Sequence, residues 1–134
     1  MQSDINRDAV WIEVCGLSDI VPNTGVTCLI GGRQIAVFRV GPADELYAID
    51  ARDPFSDAHV LGRGIVGCHR GRPKVASPMY KQSFCLQTGT CIDDASVTLD
   101  TFAVRAEEGK ILVRAVVTRR LRSGNAPLLR EGCA

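Results

Sequence analysis

The sequence predicts an all-β protein, a sandwich or barrel of short antiparallel strands, and three observations carry that expectation. Short runs rich in β-branched and aromatic residues recur along the chain with turn residues between them. Two of the breaks, Gly31-Gly32 and Glu108-Gly109, place glycine where a two-residue hairpin needs positive φ, which glycine adopts without steric cost. Sustained helical periodicity is absent, and only Asp94 to Val97 is expected to make a single helical turn.

Val10 to Val14 is the first expected strand. Val26 to Ile30 and Arg33 to Val40 flank Gly31-Gly32 and read as a hairpin, followed by Glu45 to Asp50. Lys74 to Ser77, Ser83 to Leu86 and Thr101 to Arg105 come next, and Lys110 to Val117 closes the series after Glu108-Gly109. In that last run Ile111, Val113, Ala115 and Val117 alternate with Leu112, Arg114 and Val116, a period of two that excludes a helix there. Two stretches break the rhythm. Ala51 to Arg72 mixes Pro54, Asp57, Gly62, Gly64, Gly67 and Gly71 with the short patch Ile65-Val66 and reads as a long excursion rather than core. Thr118 to Ala134 carries Arg119, Arg120, Arg122 and Arg130 against Glu131, a basic tail that either stays solvated or docks on a partner subunit. The expected layout is one β domain over 1–117 with that tail over 118–134.

At 134 residues the chain has the length of one ordinary domain, and 46% hydrophobic with 23% charged residues is enough apolar material for one core. A net charge of +1 offers no field to gather a polyanion, so nucleic-acid binding is not expected. The N-terminal stretch carries Asp4, Arg7, Asp8 and Glu13 where a secretory signal needs uninterrupted apolar residues. No run reaches the roughly 20 apolar residues that span a bilayer. The chain is therefore expected in the cytoplasm, with Cys15, Cys28, Cys68, Cys85, Cys91 and Cys133 reduced and mostly buried.

Catalytic residues are hard to find. His59 and His69 are the only histidines, and both fall in the long excursion. Cys68-His69 with Cys85 and Cys91 could suggest a metal, but adjacent ligands cannot easily turn both donors to one ion. The five residues between Cys85 and Cys91 exceed the usual zinc-knuckle gap. The GRGIVG stretch at Gly62 to Gly67 lacks a surrounding parallel βαβ unit and is no phosphate loop. Ser56, Ser77 and Ser83 lack a nucleophile-elbow context. No catalytic residue and no metal ligand is assigned.

The segments DPFSDAHVLGRGIVG and KVASPMYKQSFCLQTGTCIDD resemble the small subunits of assimilatory NAD(P)H-dependent nitrite reductases, which are Rieske-like. The similarity extends from about Trp11 to Val116. It implies an antiparallel β-sandwich or barrel with an inserted subdomain of two loops. A Rieske centre holds [2Fe-2S] with two cysteines and two histidines. By this resemblance Asp53 and Phe55 stand in the seats of the first loop's ligands, and Ser77 and Tyr80 in those of the second. A phenyl ring cannot ligate iron, and hydroxyls are poor substitutes for thiolate or imidazole, so the cluster is expected to be missing. Pro54, Phe55, Pro78, Met79 and Tyr80, with Lys81 beside them facing solvent, either pack on one another or meet a partner.

The resemblance further implies an accessory subunit that supports a large catalytic subunit carrying flavin (FAD), an iron-sulfur cluster and sirohaem. That subunit would reduce nitrite to ammonium. The alternative is a Rieske-type ferredoxin, an electron carrier with atypical ligands.

Overall fold

The computed structural model describes residues 9–79 and 81–116. Along them run β1 (Ala9–Gly16), β2 (Thr24–Ile30), β3 (Arg33–Val40), β4 (Glu45–Asp50), β5 (Ile65–His69), β6 (Arg72–Ala76), β7 (Ser83–Cys85), β8 (Thr101–Phe102), β9 (Val104–Glu107) and β10 (Lys110–Val116). Single 3-10 turns occur at Leu17–Asp19 and Leu61–Arg63. Among the described residues no helix is long and apolar enough to cross a membrane. Tyr80, Val117 and the tail from Thr118 to Ala134, with Cys133, lie outside the described residues.

The strands assemble into three antiparallel sheets, β1-β10-β9, β2-β3-β4-β8 and β5-β6-β7. The four-stranded sheet is the middle layer. On β3, Ile35 and Val37 join an aliphatic cluster with Val14, Ile30, Ile111 and Val113, which lies between the first two sheets. Ala36 and Phe38 point the other way, into a second cluster with Leu61, Val75, Phe84 and Leu86 under the third sheet. All four β3 residues are fully buried, as expected of a strand covered on both faces.

Turn chemistry sets the registers. Gly31-Gly32 joins Ile30 to its partner Arg33, and Glu108-Gly109 joins Glu107 to Lys110, with every central residue at positive φ. The expected strands are present with ends displaced by two residues or fewer, apart from two differences. The run Thr101 to Arg105 is two strands: the chain leaves β4 after Phe102 and pairs with β10 from Val104, so it changes sheets at Ala103.

The second difference lies in the long excursion, which is not outside the core. Ala51, Asp53, Leu61 and Gly62 are buried, and Ile65–His69 forms β5, paired with β6 through a tight turn at Arg70-Gly71. Both turn residues have positive φ, and an arginine there hides the hairpin signal in the sequence. Asp94 to Val97 is not helical either, since a bond from the Val97 N–H to the Asp94 carbonyl closes an isolated turn. Gly89, at φ +80°, is fixed twice over: a Cβ there would lie 2.2 Å from the Leu99 carbonyl oxygen. Cys15, Cys28, Cys85 and Cys91 are buried as expected, whereas Cys68 is exposed.

Candidate functional site

Two loops meet at the third sheet, one over Asp53 to Ala58 between β4 and β5 and one over Ser77 to Gln82 between β6 and β7. Their backbones repeat each other. The Asp53 N–H donates to the Ala58 carbonyl at 2.8 Å, and the Ser77 N–H to the Gln82 carbonyl at 2.9 Å. The Asp53 carbonyl accepts from the Asp57 N–H at 2.6 Å, and the Ser77 carbonyl from the Lys81 N–H at 3.0 Å. Asp57 and Lys81 take the same left-handed conformation, at φ 66° and 64°.

The side chains repeat as well. Asp53 Oδ1 accepts the Phe55 N–H at 2.9 Å, and Ser77 Oγ accepts the Met79 N–H at 3.2 Å. Proline follows the first residue of each loop, where its fixed φ suits a turn. A short local repeat of the form Asp/Ser-Pro-x-x-x-x thus exists where the sequence gives no visible self-similarity, because only the proline is shared at matching places.

A single bond ties the two loops together. Ser77 Oγ donates to Asp53 Oδ2 at 2.6 Å, and both residues are almost completely buried, Asp53 at 0% and Ser77 at 1% exposure. Every polar group of this clip has a partner, which makes burial of a carboxylate affordable.

Of the other residues singled out by sequence, Phe55 does two things: its ring packs 6.2 Å from that of buried Phe84, yet 37% of it is exposed. Met79 is 49% exposed, Pro78 and Lys81 are exposed, and Pro54 is half-buried. Tyr80 lies outside the described residues. Sequence reasoning missed Ile65, which is 71% exposed and sits opposite Ala76, the residue just before the second loop. Its only sequence signal is the Ile65-Val66 patch, which becomes informative once β5 is recognised as a strand.

The remaining candidates stand apart. Cys68 and His69 are consecutive on β5 and point to opposite faces, so their donor atoms diverge. Cys85 pairs with Lys74 inside β6–β7, while Cys91 bridges to Phe84 beside it. His59 is exposed. Ser56 accepts the Ala58 N–H at 3.3 Å, and Ser83 accepts from Lys74 Nζ at 3.3 Å, both structural contacts. Gly62 packs against Thr27, where a Cβ would stand 2.3 Å from the threonine hydroxyl, and Gly64 against Ala76, where one would stand 2.5 Å from the carbonyl oxygen, so these two glycines serve close packing.

Comparison with known proteins agrees with the geometry. The model of the Rieske-like [2Fe-2S] domain matches residues 10–114. The nitrite reductase (NADH) small subunit of Salmonella typhimurium is 40% identical over 104 residues, covering 78% of this chain and 96% of that protein. A nitrite reductase [NAD(P)H] large subunit of Klebsiella oxytoca is 40% identical over 103 residues, 77% of this chain but 11% of that one. The solution structure of the Escherichia coli protein NirD superposes with a TM-score of 0.75 at 37% identity, covering 80% of this chain and 97% of that chain.

Proposed function

Since this chain belongs to the Rieske-like [2Fe-2S] domain family and to the nitrite reductase small subunits within it, we propose that it is the accessory subunit of an NAD(P)H-dependent nitrite reductase, binding the large catalytic subunit through its two loop tips and carrying no cluster of its own. The oxidoreductase reaction, nitrite to ammonium with electrons from NAD(P)H, then belongs to the large subunit with its flavin, iron-sulfur cluster and sirohaem. The compartment is the cytoplasm, where that partner works.

The observation that carries this reading is the clip between Ser77 and Asp53. Two iron atoms need thiolate and imidazole donors aimed at one point. Here both loop-leading side chains spend their oxygens on each other and on the Phe55 and Met79 amides. Phe55 contributes a ring without lone pairs, packed on Phe84. These residues do not fit the cluster. The hydrogen bond does what coordination does in a Rieske centre, which is to hold two loops at a fixed separation.

Once the loops are fixed, the apolar area at their tips becomes useful for docking. Phe55, Met79, Pro78 and Ile65 are exposed beside Lys81, a mixture of aromatic, methionine and aliphatic surface that suits a protein interface. The Klebsiella oxytoca chain supports the choice of partner, because a stretch similar to this domain there lies within a large subunit. Co-expression of the full chain with its large subunit tests the assignment. Met79→Asp and Phe55→Ala should each weaken the complex by about tenfold or more, as truncation of an interface anchor does. Unchanged affinity for both variants would remove the tips from the interface.

A further inference from the structure

The net charge of +1 hides a sharp division of charge along the chain. Residues 51–92, which hold both loops and the third sheet, carry Arg52, Arg63, Arg70, Arg72, Lys74 and Lys81 against Asp53 and Asp57. One of those two carboxylates, Asp53, is fully buried in the clip. Residues 9–50 and 93–116 are acidic, with ten Asp or Glu against five Lys or Arg. We propose that the loop-bearing unit is a basic docking face that seats on an acidic patch of the large subunit.

Pairing within each region separates the two further. Around the first two sheets Arg33 pairs with Asp50 and Asp100, Arg39 with Asp44, Arg105 with Glu107 and Lys110 with Glu13. In the loop-bearing unit Arg52 pairs with Asp57, and Lys74 Nζ donates to the Ser83 hydroxyl. Arg63, Arg70, Arg72 and Lys81 are exposed and make no ion pair among the described residues. Like charges gathered without counter-charges repel one another in the free protein, and an acidic partner removes that repulsion.

Placement ties this charge to the loop tips. Lys81 follows Met79 in the second loop, and Arg63 precedes Gly64, which packs on Ala76 at the entrance to that loop. Exposed Phe55, Met79 and Ile65 thus form an apolar centre with Arg63 and Lys81 at its rim, which is the anatomy of a protein interface rather than of a polyanion site. Arg70 and Arg72 stand at the far end of the β5–β6 hairpin, about 13 Å along the strands. That span exceeds the Debye length of about 8 Å at physiological salt and lies within the length of about 30 Å at 0.01 M. The near pair therefore contacts the partner, whereas the far pair acts on its approach only when salt is low.

The inference rests on the tips being the docking site, and the test tells the two apart. Association of the full chain with its large subunit is followed by stopped flow at about 0.01 M and about 0.15 M salt. Arg63→Gln with Lys81→Gln should slow association by roughly tenfold at the lower salt and by about threefold at the higher. Arg70→Gln with Arg72→Gln should slow it at the lower salt alone. Arg105→Gln with Lys110→Gln removes the same charge from the first sheet and should change the rate by less than about twofold. All six side chains are exposed, so their replacement leaves the core intact. A rate indifferent to salt, or an equal response to all three double variants, overturns the basic face, and the tips keep their role if Met79→Asp still weakens the complex. No effect from Met79→Asp and Phe55→Ala either would overturn both readings. Salt-dependent capture of a DNA duplex in preference to the large subunit would assign the face to a polyanion and overturn the proposal.

Discussion

Ile35, Val37, Ile111 and Val113 sit in an aliphatic cluster closed by two sheets, whereas the paired loops after β4 and β6 meet through one hydrogen bond between a serine and an aspartate. The first region is held by apolar burial distributed over many side chains, so no single atom decides its geometry. The second is held at a point. A point constraint suits a place where a metal centre stands in cluster-bearing relatives, because it can replace that centre without rebuilding the layers beneath. Two loops can thus be held at a fixed separation by one buried bond between their leading side chains, which is what the proposed cluster-free reading requires.

The largest effects should come from the distributed region. Ile35→Ala leaves a cavity between the two larger sheets and should cost about 2–5 kcal/mol in denaturant unfolding, with all regions losing protection together. A purely local loss of protection would mean that the sandwich is not the stabilising unit.

Ser77→Ala comes next and separates the two regions. It leaves Asp53 Oδ2 without its buried donor and the Met79 amide without its acceptor, at a cost of about 1–3 kcal/mol. Hydrogen exchange should then accelerate at Phe55, Met79 and Lys81 while β3 stays protected. Equal acceleration in β3 would show that the clip belongs to the global fold.

The smallest effect concerns an exposed turn. The hydroxyl and amide of Ser96 hold the Asp94 carboxyl below the usual carboxylate range. A carboxyl whose pKa is depressed on folding contributes stability above its unfolded pKa and loses it as pH falls through the folded value. Ser96→Ala should therefore raise the Asp94 pKa seen by NMR titration and slightly reduce the acid sensitivity of stability. No movement of that pKa would contradict the bond's role.

Much of the distributed region is legible in the sequence. Gly31-Gly32 and Glu108-Gly109 announce their hairpins, and the alternation through Ile111, Val113 and Ala115 announces the buried face of β10, because local geometry and burial agree there. β5 is illegible for the opposite reason: Ile65, Cys68 and His69 on an edge strand are all exposed, so no alternation marks it, and Arg70 occupies a turn position that glycine usually reveals. The sheet change at Ala103 depends on two partners distant in sequence. At the loops, only the family resemblance singles out Asp53 and Ser77, as residues expected in the seats of two cluster ligands. That they bond to each other across 24 positions follows only from the register of β6 beside the first loop.

On the proposed reading, a hydrogen-bonded pair occupies the place of an iron-sulfur centre. The most direct measurement is iron and acid-labile sulfide per chain, on full-length protein made in iron-replete cells and purified without oxygen. A colourless, folded protein without stoichiometric iron is the predicted result. About two irons and two sulfides per chain with visible absorption would contradict it and make the chain an electron carrier.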